Sequence, residues 1–287
     1  MKRILVYLSP ERQCSLFDLI VAYDAGADEV ISYGSVRPED VRDIVYGCCF
    51  TRHPRDLANT CIFIGGHSVE TAERLAAGAL AVLDGLPKEL RVSIALDPNG
   101  AYTTASACVA KIGCSIKLEG ARVVVLAGTG PVGSSVARLL AVEGARVAVG
   151  SRKIERARKV VSGLDSKLAS AVLAGRPEEA EDAIKGADAV VSAGPPGIRL
   201  LSESAWRSVG SIKALADANA VPPYGIEGVG PRDDGASCGD AARYGALAVG
   251  GLKMKLHQRM ILQMFEERGG FFNLERVYGL CRSSLAR

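Results

Sequence analysis

The sequence predicts an α/β protein made of two parallel-sheet domains, and three observations predict it. Short apolar runs alternate along the whole chain with stretches whose apolar residues recur at helical spacing. Hydrophobic residues make up 48% of the chain and aromatic residues only 5%, with 32 glycines, so the core is aliphatic and closely packed, as where helices cover a buried parallel sheet. Midway, a glycine-rich turn joins a fully apolar run to an amphipathic one.

The first domain is expected over residues 1–102. Its strands are Ile4–Leu8, Glu29–Tyr33, Cys61–Gly65 and Val92–Leu96, separated by helical stretches at Leu16–Tyr23, Pro38–Val45 and Val69–Leu83. Pro38-Glu39-Asp40 suits a helix start, with proline in the first turn and acids complementing the dipole. Strand then helix, repeated, means parallel pairing and right-handed crossovers. Asp97-Pro98-Asn99-Gly100 closes the series as a turn, and an Ala-rich helix follows at Thr103–Ile112. The second domain, residues 103–251, has strands at Arg122–Leu126, Arg146–Val149, Ala189–Ser192, Ile212–Ala216 and Ala246–Val249. After Gly250-Gly251 a strong helix, Leu252–Glu267, opens a C-terminal segment (252–287) expected to pack back on the first domain.

Bulk properties exclude several classes. A net charge of +3, with no long basic run, gives no nucleic-acid surface. The apolar start is broken at Ser9-Pro10-Glu11-Arg12, too early for a signal peptide, and no stretch reaches the roughly 20 apolar residues of a membrane span. The eight cysteines (14, 48, 49, 61, 108, 114, 238, 281) form no C-x-x-C and no pairing with histidine at ligand spacing, so reduced thiols in a cytoplasmic protein without a metal are expected.

The central turn carries the chemistry. Val123-Val124-Val125-Leu126-Ala127 runs into Gly128-Thr129-Gly130-Pro131-Val132-Gly133 and then a helix, so G-x-G-x-x-G stands in the strand–turn–helix context of a Rossmann dinucleotide site. Gly128 permits the tight turn, Gly130 the approach of the pyrophosphate, and Gly133 close helix–strand packing. A NAD-selective site wants an acid after the second strand; here Ser151-Arg152-Lys153 offers a hydroxyl and two cations, suited to the 2′-phosphate of NADP. The alternative is that Arg152 and Lys153 only start a solvated basic helix. Ala193-Gly194-Pro195 and Asn219 follow later strands at their carboxyl ends, where cofactors lie, although such turns are also ordinary loops.

No Tyr-x-x-x-Lys is present, and His53, His67 and His257 have no evident carboxylate partner in sequence. A hydride transfer that needs no general base suits this chain. The glycine turn with Ser151-Arg152-Lys153, the segments 218–226 and 245–257, and in the first half Phe17-Asp18, residues 23–28, Ile62–Gly66 and Asp97–Gly100 with Thr103-Thr104, resemble methylene-tetrahydromethanopterin dehydrogenase, an NAD(P)-dependent family of bacterial one-carbon metabolism. The likeness spans essentially the whole chain and its basic segment is like the NADP-preferring branch.

The resemblance implies a tetrahydropterin substrate between the domains and a homo-oligomer built on trimers. Asp18, Asp97 and Asn99 are then candidates for the pterin's amino-pyrimidinone edge, whereas Asp24 and Asp28 read equally as a helix end and turn. Lys253 and Lys255 are expected at the start of the last helix, where cations oppose the dipole and need some other gain. Lys255 is the first choice for the catalytic site and Lys253 for a substrate contact, against the alternative of a solvated helix end. Two rival functions stand beside this one: methylene-tetrahydrofolate dehydrogenase as the main activity, and a non-catalytic NADP sensor.

Overall fold

The computed structural model describes residues 1–239 and 241–285; residues 240, 286 and 287 and the side chain of Cys238 lie outside that part. The chain divides into two compact units, Met1–Thr103 with Met254–Arg287, and Thr104–Lys253.

In the first unit β1 (Ile4–Leu8), α1 (Leu16–Asp24), β2 (Glu29–Tyr33), α2 (Val41–Phe50), β3 (Thr60–Ile64), α3 (Val69–Asp84) and β4 (Ser93–Leu96) alternate. Helix α4 (Ala101–Gly113) leads into the second unit, which holds β5 (Arg122–Leu126), α5 (Pro131–Val142), β6 (Arg146–Ser151), α6 (Ile154–Ser162), β7 (Ser170–Leu173), α7 (Pro177–Ala183), β8 (Ala189–Ser192), α8 (Glu203–Arg207), β9 (Ala214–Asp217), β10 (Asp234–Cys238) and β11 (Ala241–Tyr244). Helix α9 (Ala246–Glu266) returns the chain to the first unit, which ends with β12 (Phe271–Phe272) and α10 (Leu274–Leu285).

The first sheet is wholly parallel, in the order β12-β4-β3-β1-β2. Central β3 is buried throughout and β1 from Leu5 onward, which is why both read as unbroken apolar runs, while edge strand β2 is largely exposed. Helix α9 covers β3 and β4 in this unit: Cys61 Sγ donates to Met264 O at 3.1 Å and Ser93 Oγ to Glu267 O at 3.0 Å. Leu256, Met260, Ile261, Met264 and Phe265 are among its buried residues.

The second sheet runs β10-β11-β9-β8-β5-β6-β7, parallel except for β10. With β10 set aside and β5 counted as first, this is the 3-2-1-4-5-6 order of dinucleotide-binding sheets, and the order reverses between β5 and β8.

Several expectations need correction. Ala246–Val249 is not a strand: the sixth parallel strand lies just before it, at Ala241–Tyr244, and α9 begins at Ala246. A four-residue apolar run cannot be told from a helical segment by periodicity, and the stop between them is Gly245, where a Cβ would overlap Gly230 O. Gly250 and Gly251 therefore lie inside the helix, and Lys253 and Lys255 are its eighth and tenth residues, counted from Ala246. The opposition between these lysines and the helix dipole does not exist. Strands β7, β10 and β12 were not anticipated; they are short, edge-lying or polar (SAVL, DGASC, FF), so no apolar run announces them.

Candidate functional site

The glycine turn lies where the second sheet's order reverses. Ala127 adopts φ 53° and Gly128 N–H donates to Gly150 O at 2.8 Å, folding the chain back sharply after β5. The three glycines then differ in what their missing side chains would meet. A Cβ on Gly128 would come within 2.9 Å of Val125 O and Val149 Cγ1, and one on Gly133 within 2.6 Å of Gly128 Cα and 2.7 Å of Ala127 O. Both are required by the packing of α5 onto the strand. Gly130 is extended (φ −82°, ψ 174°), and a Cβ there meets nothing within 4 Å. Open space thus lies beside the first turn of α5, which carries no acid and whose leading N–H groups have no side-chain cap. This is what a bound pyrophosphate requires, so the residues fit a dinucleotide: Gly128, Thr129, Gly130, Pro131, Val132 and Gly133 are the ones that could frame its phosphates.

Strand β6 ends at Ser151, which is buried and whose Oγ accepts the Lys153 N–H at 3.2 Å, turning Arg152 and Lys153 outward into solvent. The Arg152 stem rests on Gly175, where a Cβ would come within 2.9 Å of Arg152 Cα. Ala193 N–H donates to Leu126 O at 3.1 Å, so Ala193, Gly194 and Pro195 begin a loop directly beside the glycine turn. Asn219 is different. It is buried, its Nδ2 donates to Pro223 O at 3.1 Å and its Oδ1 accepts the Val221 N–H at 2.9 Å, so its side chain closes the loop after β9 and is not presented to a cofactor. Asp217 anchors the same loop through Asn219 N–H and Ile226 N–H, and burial raises its carboxyl despite those donors.

In the first unit, the carboxyl ends of β1, β3 and β4 gather a second cluster, where ligands of open α/β sheets bind. Asp18, in the first turn of α1, accepts the Tyr7 hydroxyl at 2.8 Å. Asn99 is exposed with φ 55°, a left-handed conformation that asparagine tolerates. Asp97 is 0% exposed: Oδ1 accepts Tyr102 N–H (2.8 Å) and Thr103 N–H (3.1 Å), and Oδ2 accepts Thr103 Oγ1–H (2.6 Å). Its carboxylate starts α4 and so is turned inward, not toward a substrate. Asp24 ends α1, and Asp28 accepts Arg3 N–H at 2.7 Å before β1, away from these strand ends; both are turn residues. Lys255 is exposed and belongs to this unit, whereas Lys253 falls in the other.

Sequence reasoning missed two members of the cluster. His257, 0% exposed on α9, has Nδ1 at 4.0 Å from Asp97 Oδ2 and stacks on Phe63 (centroids 5.5 Å, 19°). Its carboxylate neighbour is remote in sequence, so spacing carries no signal. Tyr7 sits in an apolar strand and reads as core. Among the described residues no group of three or more His, Cys, Asp or Glu could hold a metal ion, and no helix is long and apolar enough to cross a membrane.

The chain is similar to known proteins. A family model described as methylene-tetrahydromethanopterin dehydrogenase, N-terminal, matches residues 16–99, and one described as NADP oxidoreductase, coenzyme F420-dependent, matches residues 122–203. The bifunctional protein MdtA of Methylorubrum extorquens is 40% identical, covering 98% of each chain. The NAD(P)-dependent methylenetetrahydromethanopterin dehydrogenase of the same organism is 34% identical, covering 92% of each. Quinate dehydrogenase from Corynebacterium glutamicum, in complex with NAD, shares the fold with a TM-score of 0.51 at 14% identity, covering 98% of this chain and 99% of that one. The chain belongs to the methylene-tetrahydromethanopterin dehydrogenase family.

Proposed function

We propose that this protein catalyses reversible hydride transfer from methylene-tetrahydromethanopterin to NADP, giving methenyl-tetrahydromethanopterin and NADPH. The observation that carries the reading is full-length kinship with the NAD(P)-dependent dehydrogenase of Methylorubrum extorquens, joined to a glycine turn whose open side is at Gly130. NADP supplies the hydride acceptor. The substrate's methylene carbon bridges two nitrogens, and hydride loss leaves a cation delocalised over N–C–N. No proton moves in that step, so the protein needs to align donor and acceptor and exclude water, without a general base.

Gly128–Gly133 hold the pyrophosphate, and Ser151, Arg152 and Lys153 the adenosine 2′-phosphate, which Arg152 meets as a charge-assisted pair. Ala193, Gly194 and Pro195 border the nicotinamide end. In the first unit Asp18 and Asn99 contact the pterin ring and Lys255 holds the substrate, and Lys253 of the second unit is a further contact; Asp97 and Asn219 shape their loops. Residues 1–102 form the pterin domain and residues 103–251 the cofactor domain. Reduced thiols suit a cytoplasmic enzyme. Exposed Leu16, Ile20 and Tyr23 on α1, Ile31 and Tyr33 on β2 and Phe50 on α2 support self-association, with the trimer as its unit, which light scattering measures directly.

The test is NADPH formation with methylene-tetrahydromethanopterin, run beside methylene-tetrahydrofolate and with NAD in place of NADP. Fast turnover of the methanopterin with NADP is expected. Faster turnover of the folate reassigns the substrate, and tight NADP binding with no turnover of either makes the protein a sensor.

A further inference from the structure

Helix α1 opens in an unusual way. Ser15 caps it, accepting Asp18 N–H at 3.3 Å, and Ser-x-x-Asp is the pattern of a reciprocal cap in which the acid reaches back to the Ser15 N–H. That return bond is replaced. Ser15 N–H donates instead to the Tyr7 hydroxyl at 3.4 Å, and that hydroxyl donates to Asp18 Oδ2 at 2.8 Å. A phenol from the inner strand β1 has been inserted into the cap, drawing the carboxylate inward over the carboxyl end of the sheet until it is 5% exposed.

The insertion is built for. Tyr7 is 1% exposed, with its ring edge-on to Phe63 (centroids 5.1 Å, 88°). Gly65 follows β3 at a place where a Cβ would overlap the Tyr7 hydroxyl. Burial, then the charge of Asp18 and its hydrogen bond, raises the phenol far above its ordinary range, so the hydroxyl stays a donor at every physiological pH. Packing alone would be met by phenylalanine, without a polar atom in an aliphatic core.

We propose that Tyr7 is the positioning residue of Asp18, holding the carboxylate in the orientation that receives the paired N–H donors of the pterin's amino-pyrimidinone edge. This rests on the reading of Asp18 as a substrate contact. A carboxylate meets two parallel donors only when both oxygens lie in the donors' plane. The Tyr7 hydroxyl fixes that plane before the substrate arrives, so less orientational freedom is lost on binding.

Tyr7→Phe keeps the ring and removes one oxygen, and it is compared with Asp18→Asn and with the double variant in steady-state kinetics. Tyr7→Phe should raise the KM for the pterin about tenfold, the loss of one hydrogen bond to a charged group, with kcat and the KM for NADP little changed. Asp18→Asn should raise it further, and the double variant should be no worse than Asp18→Asn alone, because the hydroxyl acts only through that carboxylate. If Tyr7→Phe lowers the melting temperature but leaves the pterin KM unchanged, or if the two effects add, Tyr7 is a packing residue and the inference is wrong. If Asp18→Asn itself leaves the pterin KM unchanged, the assignment of Asp18 fails first and the inference falls with it.

Discussion

Gly130→Ala adds one methyl group to a place where the folded chain has room for it. The backbone there is extended (φ −82°, ψ 174°), a conformation open to any residue, and the new Cβ meets nothing within 4 Å. Two small effects on stability oppose each other: alanine lowers the entropy of the unfolded chain by roughly 0.4–1 kcal/mol, and it is a poorer helix cap than glycine by a similar amount. The melting temperature should therefore stay within about 2 °C of the parent. Cofactor binding should not be spared, because the methyl occupies the space through which a pyrophosphate approaches the first-turn N–H groups of α5. Losing one or two such charge-assisted bonds, at roughly 1.5–3 kcal/mol each, weakens binding by about 10-fold to about 10,000-fold. Gly133→Ala is the reciprocal control. Its Cβ would press on Gly128 Cα at 2.6 Å and Ala127 O at 2.7 Å, backbone atoms that cannot swing aside. The cost should be about 1–3 kcal/mol of stability. Thermal unfolding with and without graded NADP, together with isothermal titration, separates the two. A Gly130→Ala protein that binds NADP as tightly as the parent would refute the placement of the phosphates.

Arg152→Ala should raise the KM for NADP about tenfold or more while leaving that for NAD within about twofold, since only the 2′-phosphate is lost as a partner. Lys255→Ala should raise the pterin KM at least about tenfold with the NADP KM unchanged, and identical pterin kinetics would remove it from the site. Asp217, whose carboxyl burial raises above 3.8, is favoured by folding in its protonated form. Its contribution is full below that unfolded value and is lost as pH rises through the raised folded one. Denaturant titrations of the parent against Asp217→Asn should thus show the parent's relative stability falling from about pH 4 upward.

The cofactor half was legible because its signals are local. An apolar strand, three glycines at fixed spacing and a basic segment after the next strand all lie within one strand–helix–strand unit, and the structure puts open space at Gly130 and steric need at Gly128 and Gly133. The first unit was legible as alternating elements, not as a site. Tyr7 looked like core because it is core, apart from one oxygen. His257 and Asp97 meet only when α9 crosses back onto β3 and β4, so no window of sequence contains both. In sequence Asp97 and Asn219 resemble ligand contacts because both are polar and follow strands. Their partners, the N–H groups of Tyr102 and Thr103 and the carbonyl of Pro223, show that the same chemistry is used to build turns. The misplaced start of α9 came from Gly250-Gly251, a pair that normally ends elements and here sits inside one, with open space at both positions.

The central claim is direct hydride transfer from the bridging carbon to NADP without a proton-transferring residue. Methylene-tetrahydromethanopterin carrying two deuterons on that carbon tests it, with the reaction run in ordinary water and the products analysed by mass and NMR. One deuteron should appear in NADPH at a single face of the nicotinamide, the other should remain on the methenyl carbon, and none should reach the solvent. Deuterium lost to water, or NADPH formed without label, would contradict the account.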